Sequence, residues 1–120
     1  MARGKWTAML NYRNTPRVSL DDYAGVAPDD QLERAASLGT RLKGARVLHV
    51  NSTAAGGGVA EILRTLVGLM EGVGLDTAWY VLPPNDSFFQ VTKRIHNHLQ
   101  GMPGDLDDQA WETYQRYIHS

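Results

Sequence analysis

Cysteine is absent from the 120 residues. That excludes disulfide frameworks, thiolate metal sites and cysteine nucleophiles together. Neither sign of charge is in excess: 12 basic residues against 13 acidic ones leave a net charge of −1. A nucleic-acid-binding domain carries a basic surplus, so no nucleic-acid partner is expected. Long hydrophobic runs are also lacking. The most apolar helical stretch, Val59 to Val73, is interrupted by Glu61, Arg64, Thr65, Glu71 and two glycines, and it is too polar to span a bilayer. The basic start Met1-Ala2-Arg3-Gly4-Lys5-Trp6 leads into no apolar run of signal-peptide length. The expectation is a cytoplasmic protein with no membrane partner. A hydrophobic share of 42% and a charged share of 21% are those of a folded globular chain.

Residues 1–27 read as an irregular arm. Lys5 to Tyr12 has the composition of a short edge strand, broken by Asn14, Pro16 and Asp21-Asp22. Residues 28–120 read as one partial Rossmann-like domain. Ala27-Pro28-Asp29-Asp30 starts a helix, with Asp30 and Glu33 at capping-box spacing. Leu32, Ala35, Ala36, Leu38 and Leu42 form its apolar stripe, and Gly44 is placed to end it in a left-handed conformation. Arg46 to Asn51 is short and β-branched, the pattern of a parallel strand buried on both faces. A second helix carries Val59, Ile62, Leu63, Leu66, Val67, Met70 and Val73 at steps of three and four, ending at Gly72 or Gly74. Thr77 to Leu82 is the next strand, stopped by Pro83-Pro84. Strand, glycine loop, helix and strand make one βαβ unit. A third helix, capped by Asp86 or Ser87, presents Phe88, Val91, Thr92, Ile95 and Leu99. A last one begins near Leu106-Asp107-Asp108 and buries Ala110, Trp111, Tyr114, Tyr117 and Ile118.

The fold class is therefore α/β: an incomplete parallel sheet with flanking helices. Two apolar strands leave two open sheet edges, which invite pairing with another chain. The expectation is either the opening part of a larger α/β protein or a domain that completes itself as a homo-oligomer.

Chemistry concentrates at Gly56-Gly57-Gly58, between a strand's carboxyl end and a helix's amino end. Glycine lets a ligand approach the backbone where any Cβ would exclude it. Free N–H groups and the helix dipole favour an anion there, and open α/β sheets bind ligands along this edge. Neither G-x-G-x-x-G nor a Gly-Lys-Ser/Thr follows, so the P-loop is excluded and a dinucleotide cofactor is not expected. Asn51, Ser52 and Thr53 suit a polyhydroxylated ligand, and equally suit turn chemistry. Glu61 falls in the first helical turn, where the dipole alone would favour it. His96 and His98, two apart, point to different helix faces, and His49 lies in the strand, so no metal site is expected. No nucleophile–base triad or carboxylate pair is present to run catalysis within these residues.

The segment His49-Val50-Asn51-Ser52-Thr53-Ala54-Ala55-Gly56-Gly57-Gly58-Val59-Ala60-Glu61 resembles the opening of the trehalose glycosyltransferring synthases and trehalose phosphorylases of retaining glycosyltransferase family 4. The likeness continues through Leu66-Val67, Val73-Gly74-Leu75-Asp76, Trp79, Phe88-Phe89-Gln90-Val91-Thr92-Lys93 and His96-Asn97-His98-Leu99-Gln100-Gly101. The resemblance implies a GT-B architecture of two Rossmann-like domains, of which this is the opening, acceptor-side part. It implies transfer of glucose from a nucleotide-diphosphate glucose to glucose, giving trehalose with retention. Gly56, Gly57 and Gly58 would approach the donor phosphates or reacting sugars, and Asn51, Glu61, His96 and Asn97 would line the cleft. The family's E-x7-E glutamates and its basic residues for the leaving diphosphate belong to the C-terminal domain. No catalytic residue is therefore expected within this chain, which alone would be inactive. Stand-alone sugar or phosphate binding and a self-associating structural remnant are the rival expectations.

Overall fold

A computed structural model describes residues 10–120. The first part of the expected Lys5–Tyr12 strand and the Met1–Trp6 start lie outside the described residues. The chain forms two compact units, residues up to Pro83 and Pro84–Ser120.

The first unit is α/β. Its elements are β1 (Asn11–Arg13), a 3-10 turn (Leu20–Tyr23), α1 (Asp29–Arg41), β2 (Arg46–Asn51), α2 (Gly58–Gly72) and β3 (Asp76–Val81). β3 is central, in the order β1-β3-β2. β2 and β3 run parallel, with Val47 opposite Thr77, His49 opposite Trp79 and Asn51 opposite Val81. β1 is an antiparallel edge strand, Arg13 opposite Trp79. The βαβ unit is as its residues foretell, but the sheet as a whole is mixed rather than parallel.

One sheet face takes α2. Ala60, Leu63 and Val67 recur at helical spacing and bury against Trp79 and Val81. Each fully buried apolar side chain of this size contributes about 1.5–3 kcal/mol. The Thr77 hydroxyl, buried in the same layer, donates to the Val67 carbonyl (3.3 Å). The rest of the expected α2 stripe is outside this contact: Val59 and Ile62 are each 61% exposed. β2 also departs from expectation. Its burial alternates, with Leu48 at 61% and Val50 at 47% exposure. β2 is a sheet edge among the described residues, so only the face toward α2 is covered. The sequence pattern of a fully buried strand is met by burial on one face alone.

α1 begins after Pro28, with no side-chain cap. Asp29 and Asp30 already lie inside its first turn, where they favour the dipole; Asp30 therefore does not form the expected capping box. α1 buries Gly39, whose absent Cβ admits Val73 at the end of α2. Leu38 and Leu42 stay exposed, and Leu32 and Ala35 are half-buried. Gly44 takes φ +76° and donates to the Gly74 carbonyl (2.9 Å), aligning the starts of β2 and β3. α2 ends at Gly72, and Gly74 (φ +103°) turns the chain into β3.

The second unit is a helix pair, α3 (Asp86–Leu99) and α4 (Asp108–Ile118). The N-cap of α3 is Asn85, whose Oδ1 accepts from the Phe88 N–H (2.9 Å); Asp86 and Ser87, the expected caps, are helical. Asp107 caps α4 through the Ala110 N–H (2.8 Å), and its carboxylate lies 3.7 Å from Arg94. The Phe88 ring stacks on Tyr117 (centroids 3.8 Å apart) and on Tyr114 (5.5 Å). Desolvation raises the Tyr117 phenol above its ordinary pKa. Leu99, Trp111 and Ile118, expected in the core, are exposed. No helix among the described residues is long and apolar enough to cross a membrane.

Candidate functional site

The glycine loop leaves β2 at Asn51 and enters α2 at Gly58, at the carboxyl end of the parallel pair. Asn51 holds it with one bond at each end of its amide. Its Oδ1 accepts from the Trp79 indole Nε1–H (2.7 Å) and its Nδ2 donates to the Thr53 carbonyl (2.6 Å). The Thr53 hydroxyl donates to the Ala55 carbonyl (2.6 Å) and accepts from the Ala55 N–H (3.2 Å). These two side chains serve the loop's own geometry, as turn residues do. The Arg64 guanidinium, from the second turn of α2, reaches back to the Ala54 carbonyl (3.2 Å). Sequence reading missed Arg64 as a loop anchor, because a bond across ten residues leaves no spacing signal.

Gly56 (φ +76°) and Gly57 (φ +84°, ψ 153°) both occupy the left half of backbone space. The Gly57 conformation is open essentially to glycine alone. Gly57 is also the N-cap of α2, with no side chain capping the helix. A Cβ built at Gly56, Gly57 or Gly58 would meet nothing within 4 Å. Space above the loop is thus free, and the first-turn N–H groups of α2 have no intrahelical acceptor. Glu61 is exposed in that first turn.

His96 and Asn97 belong to the second unit, in the last turn of α3. His96 is exposed and Asn97 half-buried. Their carbonyls accept from Gln100 and Met102 N–H groups that close the helix. His98 bonds through Nδ1 to the Met102 carbonyl (2.9 Å). His49 faces the α2 side of the sheet beside Trp79, and its Nε2 is buried without a hydrogen-bond partner. Among the described residues no group of three or more His, Asp or Glu is placed to hold a metal ion.

A family model for the N-terminal domain of trehalose synthase matches residues 49–120. The match begins in β2, takes in the whole glycine loop and α2, and runs through α3 and α4. This chain belongs to the trehalose synthase family. A trehalose synthase of Rubrobacter xylanophilus is 42% identical over 109 residues, covering 91% of this chain and 26% of the relative. One from Thermococcus litoralis is 49% identical over 82 residues, 68% of this chain and 20% of the relative. A trehalose phosphorylase of Pleurotus pulmonarius is 39% identical over 81 residues, 65% of this chain and 11% of that protein. The chain thus spans about a quarter, or less, of the length of these relatives.

Proposed function

We propose that this chain is the N-terminal, acceptor-side part of a trehalose-forming retaining glycosyltransferase of GT-B architecture. The observation that carries the proposal is the family match through the glycine loop, together with that loop's open, uncapped geometry. In the complete enzyme, glucose passes from a nucleotide-diphosphate glucose to a second glucose, and the loop receives donor phosphate or the reacting sugars. Gly56 and Gly57 supply a backbone that bulkier residues could not adopt, and Gly58 opens the helix whose dipole favours negative charge. Asn51 holds the loop rather than the ligand. Glu61 is the carboxylate nearest in sequence to the loop and is free to accept from sugar hydroxyls. His96 and Asn97 are proposed sugar contacts on the family resemblance alone. Charge on the leaving diphosphate must be stabilised by cationic groups in the transition state, and these are assigned to the rest of the enzyme. The chain by itself binds sugar without turning it over.

Isothermal titration with glucose, trehalose and nucleotide-diphosphate glucose tests this. Heat is expected for at least one of them, with no trehalose formed from glucose and nucleotide-diphosphate glucose combined. Silence toward all three would leave a structural remnant and overturn the assignment.

A further inference from the structure

On the β1 side of the glycine loop lies a cavity of about 400 Å³ lined by Arg13, Asn14, Thr15, Ala54, Arg64 and Trp79, among others. That volume falls within the range of about 300–1,000 Å³ typical of small-molecule sites. Three features define its chemistry. Two arginines line it, from different elements, and no carboxylate among the described residues does. Neither Arg13 nor Arg64 has an ion-pair partner among the described residues. The third is an apolar inner wall, the buried Trp79 indole with Ala54.

The positions follow from the fold. Arg13 stands directly opposite Trp79 in the antiparallel register, which puts both side chains on one sheet face. Arg64 is fixed at the other side by its bond to the Ala54 carbonyl. That bond uses one of five guanidinium donors and leaves the others available. Two cations on one cavity repel each other until an anion enters, and arginine's planar fork matches phosphate oxygens in pairs. The Thr15 hydroxyl and Asn14 amide add neutral donors. The indole wall offers nothing to an inorganic ion but suits the carbon skeleton of a phosphorylated organic molecule.

We infer that the Arg13–Arg64–Trp79 cavity, which shares Ala54 with the glycine loop but none of its glycines, is a binding site for a phosphomonoester of a sugar-sized molecule, apart from the glucosyl-transfer reaction proposed above. The site needs nothing from the second unit.

The test is titration of the chain with glucose 6-phosphate, inorganic phosphate and unphosphorylated glucose, for the wild type and for Arg13→Gln and Arg64→Gln. The Arg13 side chain makes no hydrogen bond among the described residues, so its variant keeps the native circular dichroism spectrum. Glucose 6-phosphate is expected to bind, to weaken as salt is raised, and to lose about tenfold or more in affinity with either variant. Inorganic phosphate is expected to bind more weakly at the same place, and glucose binding is expected to be unchanged by Arg13→Gln, whose side chain does not touch the glycine loop. No binding of either phosphate, or binding indifferent to both arginines, overturns the site. Inorganic phosphate binding as tightly as glucose 6-phosphate overturns the organic ligand. Loss of glucose binding in the wild type bears on the glycosyltransferase assignment and leaves this one standing.

Discussion

Gly57→Val is expected to lower trehalose formation at least about tenfold in the Rubrobacter xylanophilus trehalose synthase whose matched segment has been exchanged for this chain, since each tenfold loss needs only about 1.4 kcal/mol at the transition state. Backbone strain alone reaches that size. Gly57 sits at φ +84° and ψ 153°, where a residue with a side chain costs about 1–3 kcal/mol, and a β-branched one is the stiffest choice. The strain either tilts the start of α2 or moves the loop, and both displace the N–H groups proposed to meet the ligand. Gly58→Ala separates this from ligand exclusion. Gly58 has no positive φ and open space at its Cβ, and alanine is the better helix former by about 1 kcal/mol. Gly58→Ala therefore leaves the fold intact or firmer. A loss of activity there reports a ligand lying within a methyl group of the backbone. Wild-type rates in both variants would remove the loop from the reaction.

Gly68→Ala is expected to destabilise the chain by about 1–3 kcal/mol or more, read as a fall in the urea midpoint with unchanged slope. An alanine on a solvent-facing helix would have the opposite sign. Here residues 16–19 cross α2 in backbone contact. The Val18 N–H donates to the Gly68 carbonyl (3.0 Å). A Cβ at Gly68 would overlap the Pro16 carbonyl oxygen, and one at Gly72 the Val18 carbonyl oxygen. These are backbone atoms, which cannot swing aside as a flexible side chain can. Gly68 and Gly72 are four apart, so they form one glycine face on which the segment after β1 is seated. A Gly68→Ala variant as stable as the wild type would mean that the segment does not cross there.

That crossing marks the boundary of what the residues reveal by themselves. The β2–loop–α2–β3 unit is legible because its signals are local: β-branched runs, an apolar repeat at steps of three and four, and glycines at the joints. The glycine loop is legible for the same reason, and so is its open geometry. Gly68 carries no such signal, and Gly72 reads only as a helix end. Within the helix Gly68 looks like a weak position, and only the path of residues 16–19 gives the two glycines a packing role. The Arg64–Ala54 and Trp79–Asn51 bonds are equally tertiary. Asn51 presents an amide suited to a sugar, yet both ends of it are spent on the indole and the loop. Asn85 displaces Asp86 and Ser87 as the cap of α3, a shift of one or two residues, within the usual ambiguity of adjacent capping side chains. Leu48, Val50, Val59 and Ile62 show how apolar character overstates burial. Pattern records which residues can be covered, whereas coverage depends on what stands opposite, and among the described residues nothing is stacked on those positions to hide them.

The family was legible in the motif rather than in the composition. Neutral charge and missing cysteine excluded classes without choosing one, and the choice came from His49 to Glu61 together with the α3 segment.

The most direct measurement is trehalose formation by the exchange protein itself, before any substitution is made. If this chain is the N-terminal part of a trehalose-forming glycosyltransferase, a folded Rubrobacter xylanophilus synthase carrying it in place of the matched segment makes trehalose. A folded exchange protein that forms none, beside an active parent enzyme, would contradict the assignment.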